Sequence, residues 1–180
     1  PWVDARDHGA LGNGSTNDSA ALQAAFAAAA AGGLPCYLPA GIYIAEGLTV
    51  PTGLKVLFGD GNDASILKRR AAGTSRSILS ATGLSDFAIA DIGLDGNKAA
   101  QTLGANNLVL TNCTDLRLVR LQSINAKTEA GGYGGGYVLN QLPATNVTGR
   151  DIVLDRCEAY GNDKQGLAIA QTGDGITIDG

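Results

Sequence analysis

Two hydrophobic periods divide the chain. Between Ala20 and Ala31 the apolar residues Leu22, Ala25, Phe26 and Ala29 fall at i, i+3, i+4 and i+7, which is one face of an α-helix. That stretch has no Gly or Pro and is mostly Ala, the residue with the best intrinsic helix propensity. Asn17, Asp18 and Ser19 are N-cap residues, and Asp18 adds negative charge at the positive end of the helix dipole. Gly32-Gly33 supplies the left-handed stop. Gly9, Gly12 and Gly14 make the approach rich in turns, and Pro35-Cys36-Tyr37-Leu38-Pro39 reads as a short strand between prolines. Ala40-Gly41 then turns into Ile42-Tyr43-Ile44.

From about Gly47 onward the period changes to two. Leu54–Phe58, Asp86–Leu94, Asp115–Leu121, Asp151–Cys157 and Gly175–Ile178 are short β-type runs between Gly/Asn/Asp/Thr turns. Aligning them makes Val56, Phe87, Leu116, Ile152 and Ile176 equivalent, with steps of 31, 29, 36 and 24 residues. A second series, Leu108, Tyr137 and Leu167, steps by 29 and 30. Each repeat therefore holds at least two strands. Repeats of 20 to 40 residues built from strands indicate a β-solenoid. A β-sandwich also uses short strands, but Asn-Gly hairpins between neighbouring runs are missing and the spacing recurs. We expect an all-β fold, a right-handed parallel β-helix of about five coils with an N-terminal capping α-helix. Residues 1–46 form the cap, with its helix over 19–31, and residues 47–180 form the coils.

Stacking places equivalent residues ~4.8 Å apart. Ile89, Leu118 and Leu154 then make an internal aliphatic column, Asp86, Asp115 and Asp151 line up where their strands begin, and Asp91, Arg120 and Arg156 form an outward column. In that last column a carboxylate caps two guanidiniums; as an exposed ladder it contributes little to stability.

Composition narrows the partners. The 180 residues carry a net charge of −4 and no basic stripe, which argues against a nucleic-acid partner; Lys68-Arg69-Arg70 reads as a solvated turn. No apolar run reaches the ~20 residues of a membrane span. Gly accounts for 26 residues and aromatics for 5%, so turns are many and the core is aliphatic. Cys36, Cys113 and Cys157 have no metal-ligand spacing and read as buried thiols. Four Asn-x-Ser/Thr triplets, at Asn13, Asn17, Asn112 and Asn146, suit the turn composition without requiring a glycan. The chain begins at Pro1 and stops at Ile178-Asp179-Gly180 in mid-pattern. The expectation is the processed front part of a longer protein, or an end covered by another chain such as a second copy.

The pieces Asp7-His8-Gly9-Ala10-Leu11-Gly12-Asn13-Gly14, Thr16-Asn17-Asp18, Gln23-Ala24-Ala25 and Tyr37-Leu38-Pro39-Ala40-Gly41-Ile42-Tyr43 resemble the N-terminal cap of pectate-lyase-like parallel β-helix proteins. Leu94-Asp95-Gly96-Asn97 resembles a step common in their coils. Mannuronan C5-epimerases, polysaccharide lyases, pectin hydrolases and phage tailspike depolymerases share that fold. The resemblance implies polysaccharide chemistry at an extracellular, periplasmic or virion surface. The paired-Asp and Gly-His-Gly motifs of the pectin hydrolases have no counterpart. Gly136–Gln141 and Asn162–Leu167 are similar to the epimerase catalytic segment, but its proton-handling Asp and His are missing and Gln165 stands where a later Asp would be. His8 falls at a structural position of the cap.

Two segments remain as candidates. Asp155, Arg156, Glu158, Tyr160, Asp163 and Lys164 lie close in sequence on one coil, with Arg120 one coil below Arg156. Arg forks a carboxylate in two parallel hydrogen bonds, so this cluster suits an acidic sugar. Catalytic roles are assigned to Arg156, Asp155 and Lys164, and substrate contacts to Arg120, Tyr133, Tyr137, Tyr160 and Asp163. Tyr133 and Tyr137 sit in the glycine-rich run Gly131–Tyr137, read as a loop projecting from the stack, where tyrosine rings stack on sugars. No metal ligand set is assigned, and Ca²⁺ stays open because lyases of this type use a carboxylate-bound Ca²⁺ or another neutraliser. Two functions follow: a carbohydrate-active protein with lyase- or epimerase-like chemistry, or a non-catalytic glycan-binding or structural β-helix of the tailspike type.

Overall fold

The computed structural model describes residues 1–129, 133–140, 151–170 and 176–179. The chain winds as a right-handed parallel β-helix. Three parallel sheets run the length of the stack. The first holds Val3–Asp4, Cys36–Leu38, Val56–Gly59, Ser85–Ala90, Thr114–Val119, Ile152–Asp155 and Ile176–Asp179. The second holds Asn13–Asn17, Gly41–Ala45, Ser65–Arg69, Gly93–Asp95, Gln122–Ile124 and Glu158–Tyr160. The third holds Leu48–Thr49, Ser77–Thr82, Asn106–Thr111, Tyr137–Asn140 and Leu167–Ala170. Each full coil thus carries three strands.

Helix α1, Ser19–Gly32, buries Leu22, Ala25, Phe26 and Ala29, the face given by its apolar spacing. Gly33 ends it in the left-handed conformation, φ 62°, with Leu34 N–H donating back to Ala29 O at 2.9 Å. Asp18 departs from the expected cap: its side chain makes no capping bond to the helix. It is 1% exposed, and its two carboxylate oxygens accept Leu11 N–H at 2.8 Å and Gly12 N–H at 3.1 Å. That clamps the glycine loop onto the buried Tyr43 ring. Gly12 needs its missing side chain there, since a Cβ would come within 2.8 Å of the ring and φ is +60°.

The coil register confirms two columns and, in a third, moves one residue. Leu118 pairs with Ile89 and Leu154, and all three are buried. Leu108, Tyr137 and Leu167 pair in series. Leu116 pairs with Phe87 and Ile152, and Ile152 with Ile176. Val56, however, pairs with Ala88 rather than Phe87. The cause is the side-chain alternation: Leu57 is the inward residue that meets Ile89, so Val56 faces out. The long repeat between Leu116 and Ile152 contains residues 130–132 and 141–150, so part of the loop expected at Gly131–Tyr137 is not among the described residues. Gly131, Gly132, Gln141, Asn146 and Gly175 lie outside the described residues.

Candidate functional site

Two kinds of turn separate the expected site residues. In the three successive coils whose first-sheet strands are Ser85–Ala90, Thr114–Val119 and Ile152–Asp155, the corner between the first and second sheets is two residues long and begins in the left-handed region: Asp91 at φ 57°, Arg120 at 49° and Arg156 at 49°. Backbone bonds stack these corners, Asp91 N–H to Val119 O at 3.0 Å and Arg120 N–H to Asp155 O at 2.8 Å. The predicted column therefore exists, with a change of partners. Arg120 forks Asp91 with bonds of 2.5 and 2.6 Å. Arg156 turns instead to its neighbour Asp155, at 3.0 and 3.1 Å. The bond to Arg156 holds the Asp155 carboxyl below its usual range, and the bond to Asp91 pushes the Arg120 guanidinium up. Asp155, lowered by Arg156, and Arg120 and Arg156, each raised by its carboxylate partner, therefore remain charged near neutrality.

The turns between the second and third sheets are longer. Here Asp163 accepts Thr128 N–H at 3.0 Å on one oxygen, and Lys98 Nζ lies 3.2 Å from the other. Those contacts, the Thr128 bond first, lower the Asp163 pKa. Lys98 also donates to Gly161 O at 2.7 Å, so this staple ties together turns that are far apart in sequence. Lys164 is exposed on the same turn. Strand Glu158–Tyr160 lies between the Arg156 corner and this turn, a span of roughly 10 Å for three residues. The cluster expected from sequence is therefore spread across one coil rather than gathered at a point. Tyr160, 56% exposed, faces solvent from that strand.

The two loop tyrosines part company. Tyr133 lies in the long turn with the Arg76 guanidinium 4.6 Å above its ring, and Arg76 pairs with Glu129. Tyr137 corrects the expectation of a sugar contact. It begins a third-sheet strand on the inward side, is 2% exposed, and donates its hydroxyl to Glu158 O at 2.8 Å. Burial pushes its pKa up.

Sequence reasoning missed Arg76, Glu129 and Lys98. Nothing near them in sequence marks them; only the coil register brings them to Tyr133 and Asp163. The same register shows a feature of the ensemble. Residues 46–47, 70–76, 96–105, 125–129 with 133–136, and 161–166 lie between the second sheet and the third. Together they carry five basic side chains, Arg70, Arg76, Lys98, Lys127 and Lys164, against three acidic ones, Glu46, Glu129 and Asp163. This edge is net positive on a chain of net charge −4. Each acid is already paired with a base: Glu46 with Arg70 at 2.6 Å, Glu129 with Arg76, Asp163 with Lys98.

The third-sheet face beside this edge is neutral. Thr49, Ser80, Val109, Val138 and Ala168 form one outward column, with no titratable group among these described residues. A shallow groove over the second sheet, lined by Asn62, Ile66, Gly93, Leu94, Asp95, Gln122 and Ile124, encloses about 40 Å³, far below the ~300 Å³ of an ordinary ligand pocket. No group of three or more candidate ligands for a metal ion occurs among the described residues, and no described helix is long and apolar enough to cross a membrane.

The profile of the family described as rhamnogalacturonase A/epimerase, pectate lyase-like, matches residues 2–178. A mannuronan C5-epimerase of Azotobacter vinelandii, AlgE3, is 31% identical over 167 residues, 85% of this chain and 7% of that protein. The pre-neck appendage protein of Bacillus phage B103 is 30% identical over 178 residues, 87% of this chain and 20% of that protein. Gene product 12 of bacteriophage phi29, in its pre-mature form, superposes with a TM-score of 0.77 at 22% identity, over 97% of this chain and 24% of that one. The chain thus spans a small part of the curated relatives it matches.

Proposed function

Since the chain belongs to the rhamnogalacturonase A/epimerase, pectate lyase-like family, we propose that it is a polysaccharide-binding β-helix of an extracellular or virion surface. Its turns between the second and third sheets hold an extended acidic glycan. The observation that carries this reading is the surplus of cations on those turns against the negative charge of the whole chain. A polyanion is repelled by most of the surface and drawn to this edge, within a screening length of ~8 Å at physiological salt. Tyr133, with Arg76 over its ring, offers a flat aromatic contact along the same edge. The neutral outward column of the third sheet supports binding rather than acid–base chemistry by these coils.

A second reading keeps lyase- or epimerase-type chemistry, favoured by the named activity of the Azotobacter relative. Both reactions begin with removal of a proton beside a sugar carboxylate, which needs a base and a cation to neutralise the carboxylate. Tyr133, with the Arg76 guanidinium over its ring, places those two chemistries side by side.

The test uses mannuronan and polygalacturonate. Calorimetry should find binding that weakens with salt and falls roughly tenfold when Lys127→Glu and Lys164→Glu are combined. Absorbance of unsaturated product and NMR of the C5 configuration should both stay at background. Failure to bind either polymer would sink the first reading. Product formation abolished by Tyr133→Phe would establish the second.

A further inference from the structure

The aromatic residues of the chain divide into two sets. Phe26, Tyr43, Phe87 and Tyr137 are core residues. Three of the others, Trp2, Tyr37 and Phe58, meet on the outer face of the first sheet at the helix-capped end. Tyr37 and Phe58 are paired residues of neighbouring strands, and their rings stack at 5.0 Å with planes 24° apart. Trp2 stands edge-to-face to both, at 5.7 and 6.2 Å. The indole keeps open surface, and Trp2 is 58% exposed.

The surroundings of these rings are polar and mixed in charge. Asp60 accepts the Tyr37 hydroxyl at 2.7 Å and Ala40 N–H at 2.8 Å. Arg6 donates to Ala40 O at 2.7 Å, and its own N–H bonds Asp4 at 2.8 Å. The bond to Asp60, with burial and the nearby carboxylates adding to it, pushes the Tyr37 hydroxyl up to about 12, so it stays a donor. Open ring surface bordered by fixed donors and acceptors matches a sugar, which offers C–H groups on one face and hydroxyls around its edge. Two carboxylates against one guanidinium make the spot unfavourable for a uronate. It contrasts with the cationic turns in both charge and position.

We propose that Trp2, Tyr37 and Phe58, with Asp60 and Arg6 at their rim, form a second glycan-binding site that takes an uncharged pyranose ring. It rests on different residues from the acidic-glycan edge and stands or falls separately. Other occupants of such a surface are a second copy of this chain or an acidic sugar.

Trp2 is the single tryptophan of the chain, so its emission reports this site alone. The probes are cellohexaose, xylohexaose and maltohexaose, with hexamannuronate as the acidic comparator. We expect a saturable change in Trp2 emission with at least one neutral hexasaccharide. Tyr37→Leu keeps an apolar side chain in the strand and should weaken that binding about tenfold, with circular dichroism confirming the fold. Lys127→Glu combined with Lys164→Glu should leave it unchanged. Three results overturn the proposal. One is no change with any neutral sugar, another is a change with hexamannuronate alone. The third is a sugar-independent shift that follows protein concentration and coincides with dimers in sedimentation, which assigns the rings to a second copy.

Discussion

The helix-capped end and the corner between the first and second sheets both rely on aspartate, to different effect. Asp18 is buried and spends both oxygens on the backbone N–H groups of Leu11 and Gly12. Asp91 and Asp155 are partly exposed and spend theirs on guanidiniums that water would also solvate. Removing a buried acceptor leaves donors unsatisfied, whereas removing a surface ion pair returns both groups to solvent. The capped end should therefore resist change, and the corner should tolerate it.

The largest expected effect is in the helix. Phe26 is fully buried on the face that α1 turns to the core. Phe26→Ala should cost about 3–5 kcal/mol, a large share of the ~5–15 kcal/mol typical of a domain. Urea unfolding followed by circular dichroism measures it. In a solenoid each coil leans on its neighbours, so the loss should also broaden the transition. A change below ~1 kcal/mol would mean that the helix does not support the coils.

Asp18→Ala comes next. It strips the acceptor from Leu11 and Gly12 N–H and should cost about 1–3 kcal/mol, read in the same experiment. Asp18→Asn sharpens the comparison, because it keeps one oxygen and turns an amide donor toward donors. If Asn were as good as Asp, the carboxylate would be acting as an N-cap after all, since Asn caps equally well.

These two residues also mark how far the sequence is legible. The helix, its buried face and its glycine stop follow from local chemistry, because propensity, period and backbone freedom all act within a few residues. The sheet register was legible wherever strands alternate clearly, as at Ile89, Leu118 and Leu154, and slipped by one at Val56, where only the short run Leu54–Phe58 was available. The N-cap pattern at Asp18 was real, but a tertiary partner outcompeted the helix for the carboxylate. At the candidate site the limits were of another kind. Tyr137 and Tyr133 sit in one glycine-rich run, yet strand alternation turns Tyr137 inward while Tyr133 stays in the turn. Arg76–Glu129 and Lys98–Asp163 join residues whose proximity depends on every coil between them, and the aromatic group at Trp2 depends on strands from separate coils.

The corner should give the smallest effect. Arg120 sits at φ 49°, a conformation that strains any side chain with a Cβ and suits glycine. Arg120→Ala removes the fork to Asp91 and keeps the strain. Arg120→Gly removes both, so the two variants separate the ion pair from the backbone. The melting temperature should fall by no more than about 2 °C for Ala and stand higher for Gly than for Ala. High salt should erase the remaining difference between wild type and Ala. The pH dependence gives the same ion pairs a sign. Asp155 has its pKa held below the ordinary value by Arg156. Its contribution is present above the ordinary carboxylate pKa and disappears as pH falls through the lowered one. Arg156→Ala should therefore lie nearest to wild type in acid and differ most near neutrality. A loss at Arg120 or Arg156 as large as that at Asp18 would erase the contrast between the two regions and make the ladder a structural element of the coils.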